Sequence, residues 1–250
     1  MVIVLVAVVA VIVGLVYYRG SQPAGPGPRN PIETPGNSNK PTPAPTNVPL
    51  GATPPNYLGA QNSAVTVEEF ADFQCPSCGA THPVMKQIQG IFGQRIKFIF
   101  RNFPLPIHDK AYDAATAAEA AGIQGSEKFW AMQNMLYTNQ QQWSSDPNYK
   151  QVFRGYAEKI GLDVDKWEND MAGMGARGRI QADMDRGKAL QINSTPTVFI
   201  NGKSVPYPDM KVDTMRQLIE DEIKATQSSS SSAPVSTPNV STSATNNSNK

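Results

Sequence analysis

The chain of 250 residues holds only two cysteines and two histidines, and both cysteines fall in one short motif, Cys75-Pro76-Ser77-Cys78. So few thiols leave no framework of structural disulfides. A tetrahedral zinc site would need His82 and His108 as its remaining ligands, and the distance of His108 along the chain argues against that. An excess of one charge is missing too, because 22 Lys+Arg stand against 21 Asp+Glu, a formal net charge of +1. This balance gives no general attraction to nucleic acid or to an anionic membrane surface. Internal repeats are absent, and no glycine-rich phosphate loop follows a strand-like run. With 40% hydrophobic and 17% charged residues, the chain suffices for one ordinary domain plus appendages.

The long hydrophobic run lies at the start. Residues 2–18 are apolar and uncharged, close to the shortest stretch that spans a bilayer as a helix. A cleaved signal would carry a basic leader before the run and a small-residue cleavage site after it, and neither is clear. Residues 1–18 are therefore expected to be a transmembrane anchor or signal segment, with an uncleaved single-pass anchor preferred. Arg19 is the first charged side chain and lies on the C-terminal flank, which by charge alone favours a cytoplasmic domain. The chemistry below favours the other side. Residues 19–57 are rich in proline and glycine and read as a disordered linker, and residues 226–250 as a disordered Ser/Thr/Asn-rich tail. Residues 58–225 remain as the folded domain.

Within that block, Val65-Thr66-Val67 leading into Phe70 reads as a buried strand, and from Cys75 a helical pattern runs through Met85, Ile88 and Phe92. Ile96 to Phe100 reads as a second strand. Helical patterns follow at Asp109 to Gln124, Phe129 to Tyr137, Tyr149 to Ile160, Val164 to Met171 and Ile180 to Leu190. Thr197 to Asn201 is a β-branched strand ending in the hairpin signal Asn201-Gly202, and Asp213 is placed to cap a last amphipathic helix.

Two cysteines three apart at a helix start share one face, and the free amides and dipole of that terminus favour a thiolate. Cys75, at the tip, is the expected nucleophile, and Cys78, a turn further in, the resolving thiol. Pro76 suits the first helical turn and donates no backbone hydrogen bond, while the Ser77 hydroxyl is a weak donor. An isolated CxxC also occurs in half of a zinc ribbon; its place between strand and helix favours disulfide exchange. His82 follows Cys78 by four residues, so a protonated imidazole could stabilise the thiolate, although a packing histidine fits the same spacing. Trp130, Trp143 and Trp167 read as core, with a peptide groove as the alternative.

The stretch Glu69-Phe70-Ala71-Asp72-Phe73-Gln74-Cys75-Pro76-Ser77-Cys78, with the later Ser194-Thr195-Pro196-Thr197-Val198-Phe199-Ile200-Asn201-Gly202, resembles the DsbA-like branch of the thioredoxin superfamily. The resemblance implies an α/β thioredoxin fold with a large helical insertion, here preceded by an N-terminal membrane helix. It also implies a cis Pro196 facing the cysteines, and a Thr195 backbone that pairs with an extended substrate. Glu69 matches the family's buried acid, which moves protons for the second sulfur; its neighbour Glu68 competes for the role, and strand alternation turns only one of them inward.

The expected function is an extracytoplasmic thiol-disulfide oxidoreductase at the cell membrane of a bacterium. It would form disulfides in cysteine-containing, unfolded or partly folded proteins through a mixed disulfide at Cys75, and a quinone-linked membrane partner would reoxidise it. No cofactor or metal is called for. A reductase or isomerase would use the same residues with electrons flowing the other way. A tethered binding or chaperone module would use none of them.

Overall fold

Two stretches with almost no exposed residue, Thr66–Ala71 (β2) and Lys97–Asn102 (β3), pair in parallel at the middle of the sheet. Both are covered on two faces, so each reads as a nearly continuous buried run. The computed structural model describes residues 47–231. Asn56–Gly59 (β1) adds antiparallel to β3, Thr197–Ile200 (β4) antiparallel to β2, and Lys203–Val205 (β5) antiparallel to β4. The resulting order is β1-β3-β2-β4-β5. Asn201 and Gly202 make the β4–β5 turn with φ of 48° and 76°, the left-handed pair that a tight hairpin demands.

Helix Pro76–Phe92 (α1) connects β2 to β3 and ends at Gly93, whose φ of 50° turns the chain back. Between β3 and β4 lies the helical insertion: Ala111–Ile123 (α2), Ser126–Thr138 (α3), Gln140–Ser145 (α4), Tyr149–Lys159 (α5), Val164–Ala172 (α6) and Met174–Ala189 (α7). Val212–Ser231 (α8) follows the hairpin and packs on α1 and β4. The alanines of α2 are buried around its circumference, and such small side chains let α3, α6 and α7 close in on it. α7 also packs on β3; a Cβ at its Gly187 would stand 2.4 Å from the Phe103 ring, so this helix reaches the sheet only with glycine there. Trp143 and Trp167 are fully buried, each indole N–H donating to a backbone carbonyl, at Leu136 and Ala117, which is the core reading.

The two faces of β2 carry different chemistry. Val67, Glu69 and Ala71 lie on the face of Phe98 and Phe100, under the aromatic cluster of Phe129, Trp130 and Tyr137. Glu68 and Phe70 face α7, where a buried ion network has formed. Arg101 donates from Nε to Glu68 at 2.7 Å and from Nη1 to Asp183 at 2.9 Å, and Arg186 grips Glu68 through two bonds of 2.8 Å. The same arginines hold the incoming chain, since Arg101 donates to the carbonyls of Leu50 and Ala52, and Arg186 to that of Pro49.

That grip shifts the expected domain boundaries. The proline-rich composition predicts a linker up to residue 57, yet Asn56 and Tyr57 belong to β1 and the strap before them is bound by carbonyl contacts that its own composition cannot reveal. At the other end α8 runs on to Ser231, past the expected boundary at 226, and begins at Val212, so Asp213 sits inside its first turn instead of capping it. The expected anchor, residues 2–18, lies outside the described residues, among which no helix is long and apolar enough to cross a membrane.

Replacing Arg101 by Met should cost roughly 3–5 kcal/mol, because Glu68 and Asp183 are then left buried without this partner. Urea unfolding measures it, and a loss below ~1 kcal/mol would show that the network contributes little.

Candidate active site

β2 ends at Ala71, and the next residue builds the turn that presents the cysteines. Asp72 is buried; its Oδ1 accepts from the Gln74 N–H at 2.7 Å and its carbonyl from the Cys75 N–H at 3.2 Å. Its Oδ2 accepts from the Leu105 N–H and bonds His108 Nδ1 at 2.7 Å. Cys75 then occupies the N-cap of α1 with extended φ and ψ of −68° and 120°, and Pro76 takes the first helical position. Both cysteines are free thiols.

The sulfurs sit in unequal surroundings. The hydrogen bond from Cys78 lowers the Cys75 pKa most; burial opposes it, and Thr195 together with the backbone N–H groups of Cys78 and Ser77 adds to it, leaving a pKa of about 5. Ser77 thus contributes its backbone N–H. Burial pushes the Cys78 thiol well above its ordinary value, and the neighbouring Cys75 sulfur adds to the rise. The Asp72 N–H, which donates to Cys78 Sγ at 3.5 Å, offsets only part of it. At neutral pH the pair is one thiolate and one thiol.

Thr195-Pro196 closes the site from the other side with a cis peptide bond, as the family resemblance implies. The Thr195 carbonyl lies 3.4 Å from Cys75 Sγ and accepts a hydrogen bond from it only in the protonated form. The Thr195 hydroxyl is buried without an oxygen or nitrogen partner among the described residues, and it favours the thiolate of either cysteine.

Glu69 is only 2% exposed, and burial alone raises its carboxyl pKa to about 8. It therefore carries a proton at neutral pH. Glu68 is buried as well, so the alternation separates two buried environments. There burial works against the charge of Glu68, but Arg186 and Arg101 outweigh it and the net shift is downward. Of the two readings of His82, the packing one fits its surroundings. Its ring stacks on Tyr137 at 4.8 Å and its Nε2 meets Asn134 Oδ1 at 3.3 Å. Burial lowers its pKa, so it packs as a neutral imidazole.

Two participants went unassigned in the sequence. Asp72 stood inside the recognised motif with no role attached. Tyr137, on α3, buries its hydroxyl without a partner among the described residues; burial, then the charges of Cys78, Glu69, Asp72 and Cys75, raise its pKa well above the ordinary phenol value. Only the helical apolar spacing of the insertion pointed to Tyr137, and that spacing does not separate a site residue from a core one.

Known proteins resemble the chain over most of the folded domain. The family model described as Thioredoxin matches residues 52–221. A Na(+)/H(+) antiporter NhaA 1 of Mycolicibacterium gilvum is 32% identical over 158 residues, which is 62% of this chain but 24% of that protein. The chain thus spans about a quarter of the length of the antiporter relatives it matches. A probable disulfide bond formation protein D of Bacillus cereus is 29% identical over 175 residues, 67% of this chain and 78% of the relative. Among solved structures, oxidised BdbD from Bacillus subtilis superposes with a TM-score of 0.61 at 24% identity, covering 71% of this chain and 99% of that one.

The raised pKa of Glu69 makes stability depend on pH with a definite sign. Between its unfolded value near 4.5 and about 8 the native state binds more protons than the unfolded state, so stability falls as pH rises through that window. Glu69→Gln should remove this slope, its advantage over the wild type growing from pH 5 to pH 8 to a few kcal/mol at most, at about 1.4 kcal/mol per pKa unit. Denaturant midpoints across that range check it, and parallel profiles for the two proteins would contradict it.

Proposed function

The chain belongs to the thioredoxin family, in its DsbA-like form with a helical insertion, and on that footing we propose that it is an extracytoplasmic thiol-disulfide oxidoreductase that forms disulfides in other proteins. One observation carries the direction of the reaction: two thiols three residues apart have opposite acidities, with Cys75 at about 5 and Cys78 well above its ordinary value. A thiolate of low pKa is a good leaving group, and stabilising it makes the disulfide form the stronger oxidant.

The steps follow from that inequality. In the oxidised enzyme a substrate thiolate attacks Cys75 Sγ, a substrate–Cys75 disulfide forms, and the Cys75–Cys78 bond breaks with its electron pair on Cys78. Because the Cys78 thiolate is disfavoured by burial, it takes a proton, and the protonated Glu69 carboxyl is the buried group able to give one. A second substrate thiolate then attacks the substrate sulfur of the mixed disulfide, and Cys75 leaves as a thiolate. Two electrons have moved from substrate to enzyme. Reoxidation reverses the order: Cys75 attacks the disulfide of a partner, Glu69 first releases its own proton to solvent and then takes that of Cys78, and Cys78 displaces the partner from Cys75.

The Thr195 backbone, with its carbonyl already at 3.4 Å from Cys75 Sγ, suits pairing with an extended substrate segment of an unfolded or partly folded protein. The reading at the membrane rests on the apolar stretch 2–18, and a quinone-linked membrane protein is the partner proposed for reoxidation. The name of the B. cereus relative supports a disulfide-forming role, whereas ion transport belongs to relatives of which this chain matches a quarter.

Equilibration with glutathione buffers should give a reduction potential well above the roughly −270 mV of thioredoxin, and a value at or below that figure would reverse the proposed direction. Reduced, unfolded model protein should be oxidised by the wild type and not by Cys75→Ser, while Cys78→Ser should accumulate a mixed disulfide through Cys75. Full turnover by Cys75→Ser would end the proposal.

A further inference from the structure

Gln140, the first residue of α4, reaches out of the helical insertion to the cysteine turn. Its Nε2 donates to the carbonyl of Phe73 at 2.7 Å and to that of Cys75 at 2.8 Å, so both hydrogens of one side-chain amide are used. The Cys75 carbonyl already accepts the Gly79 N–H at 3.1 Å as the opening bond of α1, and Gln140 occupies its second lone pair. The carbonyls before and at Cys75 are thereby tied to a helix of the insertion.

The other side of the amide is equally close. A Cβ added at Gly79 would lie 2.4 Å from Gln140 Oε1, 3.0 Å from its Cδ and 3.2 Å from its Nε2. Gly79 lies in the first turns of α1 and its backbone is not in the left-handed region, so no conformational need calls for glycine. In the interior of a helix glycine is less favourable than alanine. What this glycine provides is room for the Gln140 amide against the helix.

We infer that Gln140, seated against Gly79, is a positioning residue of the redox site. The Cys78 thiol first, then Thr195 and the N–H groups of Cys78 and Ser77, hold the Cys75 sulfur as a thiolate, and they meet it in the extended N-cap geometry of Cys75. Gln140 pins the carbonyls that define that geometry, and it does so from the insertion, so the helical insertion contributes directly to the acidity of the nucleophile. This rests on the reading of Cys75 as nucleophile.

The test compares the full-length reduced wild type with Gln140→Met, Gly79→Ala and the double variant, following the rate of alkylation by iodoacetamide against pH and the reduction potential. Gln140→Met keeps the length of the side chain and removes its donors, and Gly79→Ala leaves the donors but displaces them. Each single variant should raise the alkylation midpoint by about one pH unit or more and make the potential more reducing. The double variant should go no further than the larger single effect. A merely structural role predicts the opposite for Gly79→Ala: greater thermal stability with an unchanged midpoint. That result, or a wild-type midpoint in folded Gln140→Met, overturns the inference. Should Gln140→Met not fold, Gly79→Ala decides alone. A wild type whose own midpoint is that of an ordinary thiol removes the low-pKa nucleophile and this inference with it, whereas shifted chemistry missing only from the variants leaves the proposed function standing.

Discussion

Two sulfurs at the start of α1 meet opposite surroundings: the pKa of Cys75 at the N-cap is lowered by the hydrogen bond of the Cys78 thiol, with Thr195 and the N–H groups of Cys78 and Ser77 adding to it, while that of Cys78, a turn deeper, is raised mainly by desolvation. Much of the local structure maintains that inequality. Asp72 shapes the approach to the helix, Thr195-Pro196 closes the site, and the strands β2 and β4 that carry these two segments are paired antiparallel, so the segments meet at one end of the sheet. A nucleophile that is easily ionised and a resolving thiol that is not can be built from the same residue type only by such positioning.

The same division by environment recurs in the adjacent residues Glu68 and Glu69. Strand alternation sends Glu68 to the α7 face, where Arg101 and Arg186 hold it ionised, and Glu69 to the aromatic face, where burial keeps it protonated. One carboxylate is structural, binding the strap of residues before β1 to the sheet through shared arginines. The other is the carboxyl to which the proposed mechanism gives the proton transfer with Cys78. Had the register slipped by one residue the roles would be exchanged, and the ion network on α7 resists that slip.

The sequence made the site largely legible and the framework less so. Cys75 and Cys78 could be placed because a strand-like run delivers them to a helix start; Thr195, Pro196 and Glu69 were singled out by the family resemblance, with alternation separating Glu69 from Glu68. His82 shared the helix face of the cysteines, and spacing on a helix left a charged and a packing role both open because it does not report desolvation; its burial against Tyr137 favours packing. β1 was hidden because its pairing partner β3 lies far along the chain and proline-rich residues precede it. α4 was hidden because Gln140-Gln141-Gln142 carries no apolar period, although its first residue reaches the cysteine turn. Local patterns reveal amphipathic faces; contacts between distant backbone carbonyls and polar side chains leave no such trace.

The account stands most directly on the acidity of one thiol. Ultraviolet thiolate absorbance of the reduced protein, titrated from acid to alkaline pH with Cys75→Ser as reference, measures it. A first transition with a midpoint near pH 5 that vanishes in Cys75→Ser is the predicted result. A single transition at the ordinary thiol value of about 8.5, or an acidic transition that survives the loss of Cys75, would contradict the account.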